Sequence, residues 1–388
     1  MHRPDVTEGP RAEVSSRIGW VLAVVGVICA TAAVLASPGD ARAAASQDWP
    51  PFVLVGGLLL IGWVAEHDGL FAVAGHRIAR VTTSGVGLFI GATIVVAVVT
   101  ALLNLDTSVA FLTPVLIYTA RSRGMGEGPM LYGALLLSNA GSLFLPGSNL
   151  TNLIVLGHVR LTGTAFLAHM WAPALAALVV TAAVVAIAGR HELRATPLAA
   201  SPPTSPGIGV GALSVLAATI IVLVVPAPAL PVAAVGIAAA VVRVAQSPDV
   251  GSRVLQTLDV PLLIGLLGMA VSLGALGRGW SGPTTLLAHL DATGGAVVAA
   301  VAAIACNNLP AASLLAARTP KDPFALLVGL NLGPNLCVTG SLAWLLWLRA
   351  ARSTGASPSL RSASRLGVVV VPVSMAAALA VLAAMGTH

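Results

Sequence analysis

The sequence predicts an all-α polytopic membrane protein, an inverted-repeat transporter with two re-entrant hairpins, two broken transmembrane helices and about nine to eleven spans. Three observations predict it. Of 388 residues, 57% are apolar and 9% charged, with a mean hydropathy of +0.94, far from the composition of an ordinary soluble domain. Two apolar runs, one in each half, are interrupted by polar residues where a membrane helix should continue: Asn104-Leu105-Asp106-Thr107-Ser108 within 85–120 and Cys306-Asn307-Asn308-Leu309-Pro310 within 294–317. Each is followed by a second broken stretch, Asn139-Ala140-Gly141-Ser142 with Pro146-Gly147-Ser148-Asn149, and Asn331-Leu332-Gly333-Pro334-Asn335 with Thr339-Gly340-Ser341. Backbone polar groups cannot stay unsatisfied in hydrocarbon, so irregular backbone at that depth is buried in protein or lines a polar cavity. Matched breaks in two halves point to a transport site.

Taken in order, residues 1–17 read as a cytoplasmic tail, and Arg17 followed by the apolar run 18–36 reads as an uncleaved first span rather than a secretory signal, whose apolar core would be shorter. The first half, 18–189, continues with spans at 51–65 and 165–188, an amphipathic segment at 67–80, the hairpin at 85–120 and a broken helix at 130–157. The run 85–120 fits either two full crossings or one re-entrant hairpin; its polar tip favours the hairpin. Residues 190–206, with Ser201-Pro202-Pro203-Thr204-Ser205-Pro206, form a flexible cytoplasmic linker, and 207–228 a linking helix. The second half, 229–388, repeats the scheme: spans at 230–244, 260–276 and 366–384, an amphipathic piece at 281–290, a hairpin at 294–317 and a broken helix at 324–348. One linking helix between the halves inverts the second copy. With both runs read as hairpins and the N-terminus in the cytoplasm, Arg42, Arg160, Arg278, Arg318 and Lys321 fall outside and the remaining fifteen of twenty basic residues inside, a clear positive-inside bias. The formal charge of +6 therefore reads as topology, with no basic run to suggest nucleic acid.

Thirteen of the fourteen acidic residues read as loop, tail or span-end residues, leaving Asp106 alone deep in an apolar run. Such a residue suggests proton coupling or a place in a cation cage, and is equally suited to capping the second arm of the hairpin. No Lys or Arg falls inside a run. Amides and hydroxyls offer the substrate contacts: Asn104, Thr107, Asn139, Ser148, Asn149, Asn307, Asn308, Asn331, Thr339 and Ser341, with Gly141 and Gly333 allowing close backbone approach. The alternative for the asparagines is stitching of helices, and for the glycines close helix packing. Cys306 and Cys337 flank the second set and would suit a thiophilic ligand or plain packing; Glu66, His67 and Asp68 read as an interfacial cluster. No zinc, phosphate-loop or nucleophile-elbow pattern appears, so an enzyme is not expected, nor a cofactor or metal.

The strings Leu103-Asn-Leu-Asp-Thr-Ser-Val-Ala-Phe-Leu-Thr-Pro114, Ser148-Asn-Leu-Thr-Asn152, Asn307-Asn-Leu-Pro310, Asn331-Leu-Gly-Pro-Asn335 and Val338-Thr-Gly-Ser-Leu342 resemble the bacterial arsenite efflux permeases, within the ion transporter superfamily that includes sodium/dicarboxylate symporters. The resemblance spans about residues 51–352. It implies substrate held between hairpin tips and unwound helices, and export of arsenite or antimonite in exchange for protons, with Asp106 as the coupling residue. A sodium- or proton-coupled transporter of organic or inorganic anions on the same scaffold is the alternative. The expected partners are the small oxyacid or anion, protons or sodium and the lipid bilayer of the cell membrane, with a soluble ATPase subunit and a homodimer as further candidates. The family carries a basic residue after Asn-Leu-Gly-Pro; Asn335 in its place bears on substrate rather than on fold.

Overall fold

The computed structural model describes residues 9–158, 161–195, 198, 209–248, 251, 254 and 258–386, without the side chains of residues 9–18 and 158. Residues 1–8, Arg160, Arg253 and the proline-rich linker run 201–206 lie outside the described residues. The described residues form helices and turns only: α1 (Gly9–Ala36), α2 (Pro38–His67), α3 (Leu70–Val81), α4 (Gly85–Leu102), α5 (Leu105–Ser122), α6 (Gly128–Gly141), α7 (Leu150–Val155), α8 (Gly163–Ala188), α9 (Arg190–Leu193), α10 (Val210–Val224), α11 (Ala229–Gln246), α12 (Val260–Gly279), α13 (Gly282–His289), α14 (Ala292–Cys306), α15 (Asn308–Leu315), α16 (Pro323–Leu332), α17 (Ala343–Ser353) and α18 (Leu360–Ala384). Among them, α1, α2, α4, α8, α11, α12 and α18 are long and apolar enough to cross a membrane, and α10 and α14 are shorter apolar helices. The protein is a multi-pass membrane protein.

Local chemistry sets many of the helix starts. Ser84 accepts from Gly87 N–H (3.0 Å) at α4, Thr162 from Ala165 N–H (3.2 Å) at α8, Asp291 from Gly294 N–H (2.7 Å) at α14, and Ser359 from Ser362 N–H (3.2 Å) at α18. Each supplies an acceptor for a first-turn donor that has no helical partner.

The helices pack in a two-fold pattern. α1 crosses α12 where a Cβ on Gly26 would come within 2.7 Å of the Gly265 Cα, and α11 crosses α2 where a Cβ on Gly57 would come within 2.7 Å of the Ala233 Cα. Small residues let these backbones touch, as membrane helices require when burial of apolar surface supplies little drive. α2 packs on α12, and α8 on α18. The hairpins α4–α5 and α14–α15 lie against the broken helices of their own halves, α4 on α6 and α14 on α16, while the return arms also reach the other half: α5 packs on α17, and α15 on α12 of its own half and α7 of the first.

Two expectations are corrected. α2 begins at Pro38 and runs through Pro50 and Pro51, so the stretch before residue 51 is helix rather than loop. Proline removes a helical N–H and normally ends a span in sequence, and here neighbouring helices hold the helix together across it. Asp48 is consequently a buried residue of a long apolar helix, 1% exposed, and Asp106 is not the only acid at such a position.

Candidate functional site

The first half-helices of the two broken spans, α6 and α16, each carry an asparagine near their end, Asn139 and Asn331, that bonds the break of the other half. Asn331 accepts at Oδ1 from Asn149 Nδ2 (2.6 Å), with the Ser142 hydroxyl 2.7 Å away, and donates through Nδ2 to Asn152 Oδ1 (2.8 Å) and the Leu327 carbonyl (2.9 Å). Ser142 Oγ also lies 2.7 Å from the Asn139 carbonyl, and its one proton serves one of these two acceptors at a time. Asn139 donates to Asn335 Oδ1 (2.8 Å) and the Leu135 carbonyl (3.2 Å), and Asn335 donates to the Leu136 carbonyl (3.2 Å). All of these side chains are buried.

Much of this network repairs the breaks. Asn152 Nδ2 donates to the freed carbonyls of Ser142 (2.7 Å) and Leu145 (3.1 Å) and Trp344 Nε1 to that of Pro334 (2.8 Å), while Trp347 Nε1 donates to the Leu131 carbonyl (2.7 Å) in the first turn of α6. An irregular backbone inside a membrane needs this accounting. Gly141 and Gly333 face the hairpins: a Cβ on Gly141 would sit 3.3 Å from the Ala97 Cα of α4, and one on Gly333 2.7 Å from the Ala300 Cα of α14. Their smallness serves helix packing. Ser148 Oγ donates to the Ala101 carbonyl (3.2 Å) and Thr339 Oγ1 to the Ile304 carbonyl (2.7 Å), each tying a break to the last turn of a hairpin's first arm.

The hairpin tips differ. Asn104 caps α5, its Oδ1 accepting from Thr107 N–H (2.7 Å), and Leu103, Asn104 and Leu105 are buried. Asn307 caps α15 more weakly, accepting from Leu309 N–H at 3.3 Å; Asn308 N–H donates to the Gly340 carbonyl (2.8 Å), and Cys306 and Thr339 are exposed. No hydrogen bond joins Asn104 to Asn307 or Asn308 among the described residues.

Several buried polar atoms lack a partner: Asn104 Nδ2, Thr107 Oγ1, Thr100 Oγ1, Asn139 Oδ1 and Ser341 Oγ. Thr100 packs beside Gly141, and Ser108 Oγ lies 3.1 Å from Ser138 Oγ, so the first hairpin tip and the first break form one polar surface. Buried donors and acceptors are normally paired. Asp106, in the first turn of α5, is half-buried and makes no hydrogen bond or ion pair with the described residues.

Sequence reasoning missed Asn152 and Asn335 as members of this network. Asn152 stands in the string Ser148-Asn-Leu-Thr-Asn152, and its regularity with Asn149 was the available signal. Although no Lys or Arg falls inside an apolar run, Arg123 at the end of α5 is buried, 5% exposed; its guanidinium donates to the carbonyls of Ala79 and Thr82 at the end of α3 and is not free for a substrate. Asp68 is engaged at the far end of α2, accepting from Gly211 N–H (2.7 Å) and lying 3.6 Å from Arg243, while His67 lies 3.2 Å from Glu66.

An all-helical membrane fold with two hairpins and two broken helices is that of a secondary transporter. Within that class the chain belongs to the citrate transporter family, whose model matches residues 14–351. An uncharacterized transporter of Mycobacterium tuberculosis is 31% identical over 144 residues, 37% of this chain and 33% of that protein. An inner membrane protein of Escherichia coli, YbiR, is 27% identical over 137 residues, 35% of this chain and 37% of that protein. The chain thus spans about a third of the length of the curated relatives it matches. The YdaH transporter of Alcanivorax borkumensis shares the fold, with a TM-score of 0.50 at 14% identity over 89% of this chain and 86% of that one. The family, the Mycobacterium tuberculosis relative and the Alcanivorax borkumensis protein are described as transporters, not as enzymes.

Proposed function

We propose that the chain carries a small polyoxygenated anion of the citrate type across the cell membrane, coupled to a cation that neutralises Asp106, most simply a proton. The observation that carries this reading is the first hairpin tip, where Asp106 stands unpaired in the first turn of α5 beside the unpartnered Asn104 Nδ2 and Thr107 Oγ1. The N-terminus of α5 favours an anion through its free N–H groups and dipole. An ionised Asp106 opposes that anion: two like charges about 6 Å apart at an effective dielectric of about 20 repel by roughly 3 kcal/mol. A proton on Asp106 removes the repulsion, so proton and anion each favour binding of the other. That linkage is symport. The substrate contacts in this reading are Asn104, Thr107, Asn139 and Ser341, with Ser148, Asn149, Asn307, Asn308, Asn331 and Thr339 holding the surfaces that carry them. Family membership supports the substrate class.

A second reading, export of arsenite or antimonite in exchange for protons, is favoured by the exposed thiol of Cys306 and by a donor set without a free guanidinium, which suits a neutral acid. Uptake of labelled citrate into proteoliposomes under an inward proton gradient decides between them. Gradient-dependent uptake, lost in Asp106→Asn, supports the first. Absence of citrate uptake together with arsenite resistance in a pump-deleted bacterium overturns it in favour of the second.

A further inference from the structure

Away from the hairpin tips, Asp48 of α2 is buried, and its Oδ2 has no hydrogen-bond partner. It faces the Arg278 guanidinium of α12 and the Ser313 hydroxyl of α15; Asp48 Oδ2 and Arg278 Nη1 both border the face of Gly274, 3.7 Å and 3.2 Å from where its Cβ would lie. The neighbouring Gln47 accepts from Arg278 at Oε1 and donates through Nε2 to the carbonyls of Ile154 (2.9 Å) and Ala316 (3.2 Å). Those two carbonyls end α7, the second part of the first broken helix, and α15, the return arm of the second hairpin. The dipeptide Gln47-Asp48 of the scaffold helix α2 therefore faces the scaffold helix α12, a piece of the first broken helix and an arm of the second hairpin.

The surrounding charges are few. Arg278 bonds the Gly274 carbonyl (2.9 Å), Asp40 of α2 acts on Arg278, and Arg318 donates to the Arg278 carbonyl (2.7 Å). α7, α10 and α15 carry no titratable side chain, and the described side chains of α1 include only Cys29. Arg243 of α11 pairs with Asp68 at the other end of α2, and Asp106 of α5 follows Asn104 on a helix that meets α2 at Gly62, fourteen residues beyond Asp48 and so about 20 Å along the helix. A metal cation is a poor occupant: one carboxylate beside a guanidinium offers no surplus negative charge, and no cluster of three metal-ligating side chains is present among the described residues. A proton needs only the free oxygen.

We propose that Asp48 is a second proton-binding carboxyl group of this transporter, and that its occupancy governs how tightly α7 and α15 are held against α2 and α12. In the ionised form the carboxylate holds Arg278 by charge, and Arg278 holds Gln47 over the Ile154 and Ala316 carbonyls. A proton bound at Oδ2 forms an O–H bond, cancels the attraction for Arg278, and loosens the Gln47 contacts, freeing the second hairpin arm. The inference rests on the chain being a transporter and not on the substrate proposed above.

The test uses the purified full-length chain in lipid without any substrate. Infrared spectra between alkaline and acid pH are read for the C=O stretch of protonated carboxyl groups, and amide exchange of residues 308–315 is followed at the same pH values after correction for intrinsic rates. Wild type is expected to show a titrating band that Asp48→Asn loses and Asp106→Asn keeps, and to lose protection in α15 on acidification, a change absent from Asp48→Asn. Asp48→Glu, which keeps the carboxyl, should retain a titrating band at a shifted frequency and guards against misfolding of the amide variant. The proposal is overturned if Asp48→Asn keeps every titrating band of wild type, or if protection of α15 is the same at both pH values in wild type. Failure of citrate transport leaves these readouts untouched.

Discussion

At the first hairpin tip Asn104 takes an extended backbone, φ −170°, and caps α5 at 2.7 Å, under a cover of buried leucines; at the second, Asn307 is held at φ 78°, ψ 147° and reaches its capping N–H at only 3.3 Å, beside an exposed Cys306. The first conformation is open to any residue. The second lies where L side chains are disfavoured, at a cost of order 1–3 kcal/mol. The first tip also carries an acid and unpartnered buried donors, and the second carries amides alone. The same hairpin plan thus gives one relaxed, sealed, chemically loaded tip and one strained, open tip. Strain persists only where surroundings impose it, and the Asn308 N–H bond to Gly340 with the Thr339 bond to Ile304 are what impose it here.

The comparison breaks most readily at the acid. Asp106→Asn is expected to reduce gradient-driven uptake by about 100-fold or more while leaving thermal stability within about 1 kcal/mol, since its side chain makes no bond that folding depends on; uptake still driven by a pH gradient would remove coupling from the first tip. Next in size is the hub. Asn331→Ala leaves Asn149 Nδ2 and Asn152 Oδ1 buried and unpaired and should cost about 3 kcal/mol, whereas Asn139→Ala, whose Oδ1 is already without a partner, should cost about 1–2 kcal/mol. Denaturation in detergent measures both, and equal losses would show that the two breaks share the network evenly. Asn307→Gly relieves the positive φ and gives up only a weak cap, so it should stabilise by about 1 kcal/mol, and Asn104→Gly should destabilise by a few tenths. Opposite signs sharpen the contrast; the same sign erases it. Smallest is the pair Thr339→Val and Ser148→Ala, each removing one hydroxyl donation to a hairpin carbonyl, at about 1 kcal/mol or less.

Polar residues breaking an apolar run are a local signal, and the spans, the hairpin tips at Asn104 and Asn307, and the breaks at Asn139 and Asn331 were legible because hydropathy and capping act within a few residues. Asp48 was not, because the Pro50-Pro51 pair reads as the start of a span while the helix runs through it. The Asn139–Asn335 bond joins positions 196 apart, and no local pattern records such a pairing.

By itself, the sequence determined that this chain lives in a membrane, that its two halves follow one plan, and that a single acid sits at one hairpin tip, since the bilayer charges for every exposed polar group wherever it lies in the chain. Only the tertiary structure decided which amides repair the breaks and which remain unpartnered, and that Asp48 faces Arg278 across the two halves. Satisfaction of a buried polar group depends on what another helix brings within about 3 Å, and that distance is set by packing.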